Sequence, residues 1–164
     1  LTAALAAART VEDVAEVVVA QAVLATGART GMMALRLPDA EEAGIVRQTG
    51  FTADVLTAYV RFPLTAPGPA ARCLRNGEPA FVTGLADDTL YARFPDAAPT
   101  WRSFGVQSVV TVPLHVVGQT VGVMSFTWTE PRALPPADRE FFLALGRQAA
   151  QAVERARLFA AEQE

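Results

Sequence analysis

Two apolar runs joined by one sharp break, residues 109–117 and 120–128 around Gly118-Gln119, constrain this chain more than any other stretch. Both runs are rich in β-branched and aromatic residues, which favour a pleated surface, and the Gly-first pair between them reads as the turn of a two-residue hairpin. Neither run alternates cleanly between apolar and polar residues. Such strands cannot leave one face in water, so both faces must be covered by helices from elsewhere in the chain. The hairpin is therefore expected at the centre of the sheet.

The remaining elements can be placed around it. Thr10-Val11-Glu12-Asp13 reads as a capped helix start, with acidic residues in the first turn where the helix dipole favours them. Val11, Val14, Val18, Ala22 and Ala25 follow at helical spacing, and the preceding residues also favour helix, so an N-terminal helix is expected over residues 1–27. Residues 30–37 and 44–51 read as a second hairpin with a turn over 38–43, and 52–59 as a short helix. Three prolines make 63–69 irregular. A helix over 70–75 stops at Asn76-Gly77, and 79–83 is a short strand.

Residues 84–100 lose periodicity, which marks a long loop and a candidate lid, expected to be the most mobile internal part. The last helix, placed over 135–164, is the clearest element. Phe142, Leu145, Ala149, Ala152, Ala156 and Phe159 repeat at alternating spacings of three and four, the heptad seam of a helix that packs along another helix. Those six residues are the expected dimer helix; Ala150 and Val153 form a second stripe beside them.

Composition removes several function classes. The chain has 164 residues, 51% of them apolar, enough for one domain with a sizeable core. Net charge is −3 with no basic run, so neither a phosphate backbone nor an anionic membrane finds an electrostatic footprint. No stretch is long and apolar enough to span a bilayer and no leader precedes the fold, so a cytoplasmic protein is expected. All 14 basic residues are Arg, which excludes Schiff-base and P-loop lysines. A single Cys and a single His cannot build an ordinary zinc site or an internal disulfide. The chain begins without Met, as expected for a module cut from a longer protein.

In combination these features resemble a GAF domain over nearly the whole chain. The specific part is 105–159: the Gly105-Val106-Gln107-Ser108 lead, Val112-Pro113-Leu114, the Gly118 turn, Gly122-Val123, and the long Ala-rich helix with Glu154-Arg155-Ala156-Arg157-Leu158. Residues 70–81, AARCLRNGEPAF, are similar to the helix-then-strand piece of that family. The resemblance implies an α+β fold of the GAF/PAS kind: a central, mainly antiparallel six-stranded sheet, terminal helices on one face, and lid helices and loops over a small-molecule pocket on the other. It implies a homodimer formed through the terminal helices and a covalently linked output domain, a bacterial serine/threonine phosphatase or histidine kinase, following the last helix. No phosphatase or kinase motif lies within these residues.

The family's binding options can be weighed residue by residue. A bilin-carrying member has a thiol just before the Gly-Val lead, where this chain reads Asp96-Ala97-Ala98-Pro99-Thr100. Cyclic-nucleotide-binding members carry an Asn-Lys-Phe-Asp-Glu signature that a chain without Lys cannot match. His115 sits too near the hairpin end to serve as a haem ligand, so no metal, haem or other cofactor is expected. Free methionine sulfoxide reductase shares this fold, but its chemistry needs exchanging Cys residues, and this chain has only Cys73. The expectation is a non-enzymatic, small-molecule-sensing regulatory and dimerisation module. A ligand-free dimerisation domain is the alternative, and a reductase-like enzyme a remote one. Candidate pocket residues are Met33, Phe81, Tyr91, Trp101, Thr111, Ser125 and Thr127.

Overall fold

In the computed structural model, which describes residues 2–53, 60–83 and 92–163, the chain runs α1 (Thr2–Ala7), α2 (Val11–Thr26), β1 (Thr30–Arg36), β2 (Glu42–Thr49), β3 (Arg61–Pro63), α3 (Pro69–Asn76), β4 (Ala80–Thr83), α4 (Ala98–Phe104), β5 (Ser108–Val116), β6 (Gln119–Trp128) and α5 (Pro136–Glu162). The six strands form one sheet in the order β3-β2-β1-β6-β5-β4. Every neighbouring pair is antiparallel. The fold is thus the α+β arrangement expected, with the β5–β6 hairpin inside the sheet and seven consecutive buried residues on β5.

The hairpin turn lies one residue earlier than expected. Its loop is Val117-Gly118, not Gly118-Gln119, because β6 already begins at Gln119. Val117 and Gly118 have φ of +48° and +77°. Two successive positive φ values define the type I′ turn, whose twist matches that of the flanking strands, and this turn takes Gly second.

Three other expectations change. The N-terminal helix is two helices: α2 begins anew where the Thr10 hydroxyl accepts from the Asp13 amide at 3.0 Å. The sixth strand is β3, between the expected helix over 52–59 and the irregular stretch expected from Pro63; it pairs with the start of β2, Ala43 opposite Phe62. The end of the expected long loop enters a helix, α4. The expected helix over 52–59 and the first part of the expected lid, 84–91, lie largely outside the described residues.

One sheet face is covered by α2 and α5 through a continuous apolar cluster that includes Met33, Met124, Phe126 and Trp128 from the strands. In this layer α5 comes so close to β5 that a Cβ on Gly146 would lie 2.9 Å from the Pro113 carbonyl oxygen. The α5 seam is consumed here: Phe142, Leu145, Ala149, Ala152 and Ala156 are all buried within the chain, as are Ala150 and Val153. Of the six, only Phe159 remains exposed. The heptad spacing therefore records packing on α2 and the sheet, since the small Ala side chains let α5 settle onto its own domain. No helix among the described residues is long and apolar enough to cross a membrane.

The other face is built differently. It carries two separate apolar clusters, one of Met32, Ala34, Phe62, Leu64, Cys73 and Val123 under α3, and one of Val82, Phe94, Ala97, Val106 and Val109 beside α4.

Candidate functional site

Between those two clusters the sheet is left partly uncovered, and a cavity of about 330 Å³ opens there. Its floor is made by alternate residues of three strands: Thr30 and Met32 on β1, Val109 on β5, Ser125 and Thr127 on β6. One wall comes from Phe51, Phe62 and the Pro67–Ala71 segment, the other from Ala97, Thr100, Trp101, Phe104 and Val106. Trp101 is held edge-on against Phe94, with ring centroids 5.7 Å apart at 70°. Its plane is thereby set before any ligand arrives.

The floor is polar without being charged. Thr30 and Thr127 hydroxyls lie 2.5 Å apart, and Thr111 and Ser125 hydroxyls 2.9 Å apart. Among the described residues, the charged side chains on the lining are Arg29 and Asp96, both exposed.

The candidates named from sequence fall into three groups. Trp101, Ser125 and Thr127 line the cavity, and Thr111 is fully buried behind Ser125. Met33 is on the opposite face, wholly buried in the helix layer. Phe81 also packs against that layer, with the Arg139 guanidinium 5.4 Å from its ring centroid. Tyr91 lies outside the described residues. Strand alternation explains the divergence: Met32, not Met33, shares a face with Thr30 and Ser125. Phe62 was missed because a strand of only three residues that ends on a proline gives almost no pattern, though one apolar residue between Arg61 and Pro63 was a usable signal.

Two groups that could have carried other chemistry lie elsewhere. His115 is exposed at the hairpin end, its Nδ1 3.1 Å from the Thr120 hydroxyl. Cys73, on the buried side of α3, is 1% exposed. Burial pushes its thiol up to about 12, so at neutral pH it is protonated and a poor nucleophile.

The β6 strand joins the cavity to the helix layer. Ser125 and Thr127 face the cavity while Phe126 and Trp128 between and after them face the helices. Trp128 Nε1 donates to the carbonyl of Thr26, the last residue of α2, at 3.1 Å. Arg132 Nη1 donates to the same oxygen at 2.9 Å, its guanidinium lies 5.1 Å from the Trp128 ring centroid, and its Nη2 is 3.6 Å from Asp138 on α5. β6 and the segment that follows it thus touch the cavity and tie both long helices.

A family model described as GAF domain matches residues 8–154. No curated protein matches the sequence. Among solved structures, the GAF domain of an Acinetobacter phosphoenolpyruvate-protein phosphotransferase is similar with a TM-score of 0.77 at 14% identity, covering 98% of this chain and 92% of that one. A domain of a putative two-component sensor histidine kinase from Sinorhizobium meliloti gives 0.73 at 18%, covering 96% and 99%. Free methionine-R-sulfoxide reductase from Neisseria meningitidis, solved with its substrate, gives 0.73 at 19%, covering 94% and 84%. At these identities the likeness is one of fold.

Proposed function

The chain belongs to the GAF domain family, and from that premise we propose that it is a small-molecule-sensing regulatory module of a bacterial signal-transduction protein, acting on a phosphatase or kinase output domain joined to α5. The observation that carries this reading is the cavity, because it sits where the sheet's covering layer is divided into two clusters. A ligand lodged there supplies the missing apolar contacts and joins the halves. The open cavity favours sensing over a domain whose only task is to dimerise.

The signal then has a material route. A ligand resting on Ser125 and Thr127 bears on β6, and β6 bears on α2 and α5 through Trp128 and Arg132. To switch anything, the ligand must bind one arrangement of these helices better than the other. Catalysis has less to recommend it. Reductase chemistry needs thiols that exchange, and the solitary Cys73 is buried and protonated.

Dimerisation, in this reading, uses the outward flank of α5, where Phe141, Leu158 and Phe159 remain exposed after the inner seam is filled. The partner is a second copy of the chain.

Mass spectrometry of the protein purified under native conditions, followed by thermal unfolding with each molecule found, tests the sensing role. A ligand at about 100 times its dissociation constant adds about 2.7 kcal/mol, which raises the midpoint by roughly 5–10 °C for a domain of this size. If no small molecule co-purifies and none from a chemically broad collection raises the midpoint, the sensing reading fails.

A further inference from the structure

The lining specifies the chemical class of occupant, and this inference rests on the sensing role just proposed. Each hydroxyl pair on the floor uses one proton internally. In the Thr30–Thr127 pair one oxygen donates to the other, which leaves one O–H free to donate and lone pairs free to accept. Ser125 stands in the same relation to Thr111. The floor therefore serves a group that both donates and accepts, such as a hydroxyl.

It does not serve an ion. A carboxylate or ammonium set on this floor would meet hydroxyls alone, an unfavourable burial for a charge stripped of water. Arg29 and Asp96 are on the described lining but both are exposed, where an ion pair contributes little. The walls add a shape. Phe51 and Phe62 on one side and Trp101 and Phe104 on the other present aromatic surfaces, and rings pair favourably with rings. The volume of about 330 Å³ lies at the small end of the range for ligand pockets, which suits one or two rings.

We infer that the cavity takes a flat, uncharged aromatic molecule of one or two rings carrying a hydroxyl, with the rings between the two walls and the hydroxyl on the Thr30–Thr127 pair.

Calorimetric titration at pH 7 with three probes of one shape tests this: 2-naphthol, the uncharged hydrocarbon naphthalene, and the anion 2-naphthoate. The expected order is 2-naphthol first, at least about tenfold tighter than 2-naphthoate. Thr30→Val combined with Thr127→Val keeps the shape and the strand preference while removing both hydroxyls of the pair. It should weaken 2-naphthol about 3–10-fold, the worth of one net hydrogen bond, and leave naphthalene no weaker. A cooperative melting transition without ligand shows that the variant is folded. If 2-naphthoate binds as tightly as 2-naphthol, or the double variant weakens naphthalene equally, the assigned class is wrong while a small-molecule site survives. If none of the probes binds, nor any member of a broad metabolite collection, the class and the sensing role fall together.

Discussion

Among the described residues, Val117 is the one whose local conformation is least suited to its side chain. It is 96% exposed, so no packing compensates, yet it holds φ +48° in the left-handed region that β-branched residues avoid. The left-handed conformation costs an ordinary L-residue about 1–2 kcal/mol, and Asn tolerates it far better at this position of a type I′ turn. Val117→Asn should stabilise the domain by about 1 kcal/mol, or roughly 2–4 °C in thermal unfolding; an unchanged or lowered midpoint would show that the turn is not strained. Cys73 makes a prediction of opposite sign on alkaline pH. Burial pushes its pKa in the folded state up to about 12 from the ordinary thiol value of 9.0, so the folded form holds its proton more tightly than the unfolded chain. The resulting stabilisation is fully present below pH 9 and is lost as pH rises toward 12. Cys73→Ala should flatten this dependence relative to the parent across that window. Parallel pH profiles for the two proteins would contradict it.

Among the elements, α5 shows how closely a helix can be set on a strand. Replacing Gly by Ala inside an exposed helix normally gains about 1 kcal/mol. At Gly146 the added Cβ would meet the Pro113 carbonyl oxygen at 2.9 Å, and that oxygen belongs to a strand held in place by its pairing with β6, Pro113 opposite Val123. Overpacking of this kind costs about 1–3 kcal/mol, so the clash outweighs the propensity gain. Gly146→Ala should lower stability in urea unfolding. A stabilised variant would mean that α5 can lift from β5 at little cost, and would remove the close helix–sheet contact from any account of signalling.

For the whole molecule, the question is which surface is left for a second copy. The inner seam of α5 is closed, so a charge placed in it strikes the fold itself. Ala152→Glu would bury an unpaired carboxylate at a position 2% exposed, a change on the scale of about 3–5 kcal/mol, and should give unfolded or insoluble protein in place of a folded monomer. Leu158 is 58% exposed, and substitutions at such positions usually alter stability by no more than about 0.5 kcal/mol. Leu158→Glu should therefore leave the fold intact and weaken self-association, as read by sedimentation. Parent protein that stays monomeric at high concentration would rule out the dimer.

Much of this was legible in the chain. The β5–β6 hairpin, the capped start of α2, the stop of α3 at Gly77 and the length of α5 all follow from local signals: β-branched runs, a capping Thr, a left-handed Gly and helical spacing. Those signals are local because the physics behind them is local, being backbone sterics and hydrogen bonds between near neighbours. Which face a residue occupies is another matter. Met32 and Met33 are adjacent and chemically alike, and only the pairing of β1 with β6 sends the first to the cavity and the second to the helix layer. The same holds for α5, whose spacing declared a buried seam without naming the surface that buries it. β3 existed only because β2 offered an edge to pair with. The sequence by itself determined the elements, their order and the need for a two-sided cover. Tertiary structure decided the register, the partner of each apolar stripe and the gap between two clusters that becomes the cavity, because each depends on contacts between residues far apart in the chain.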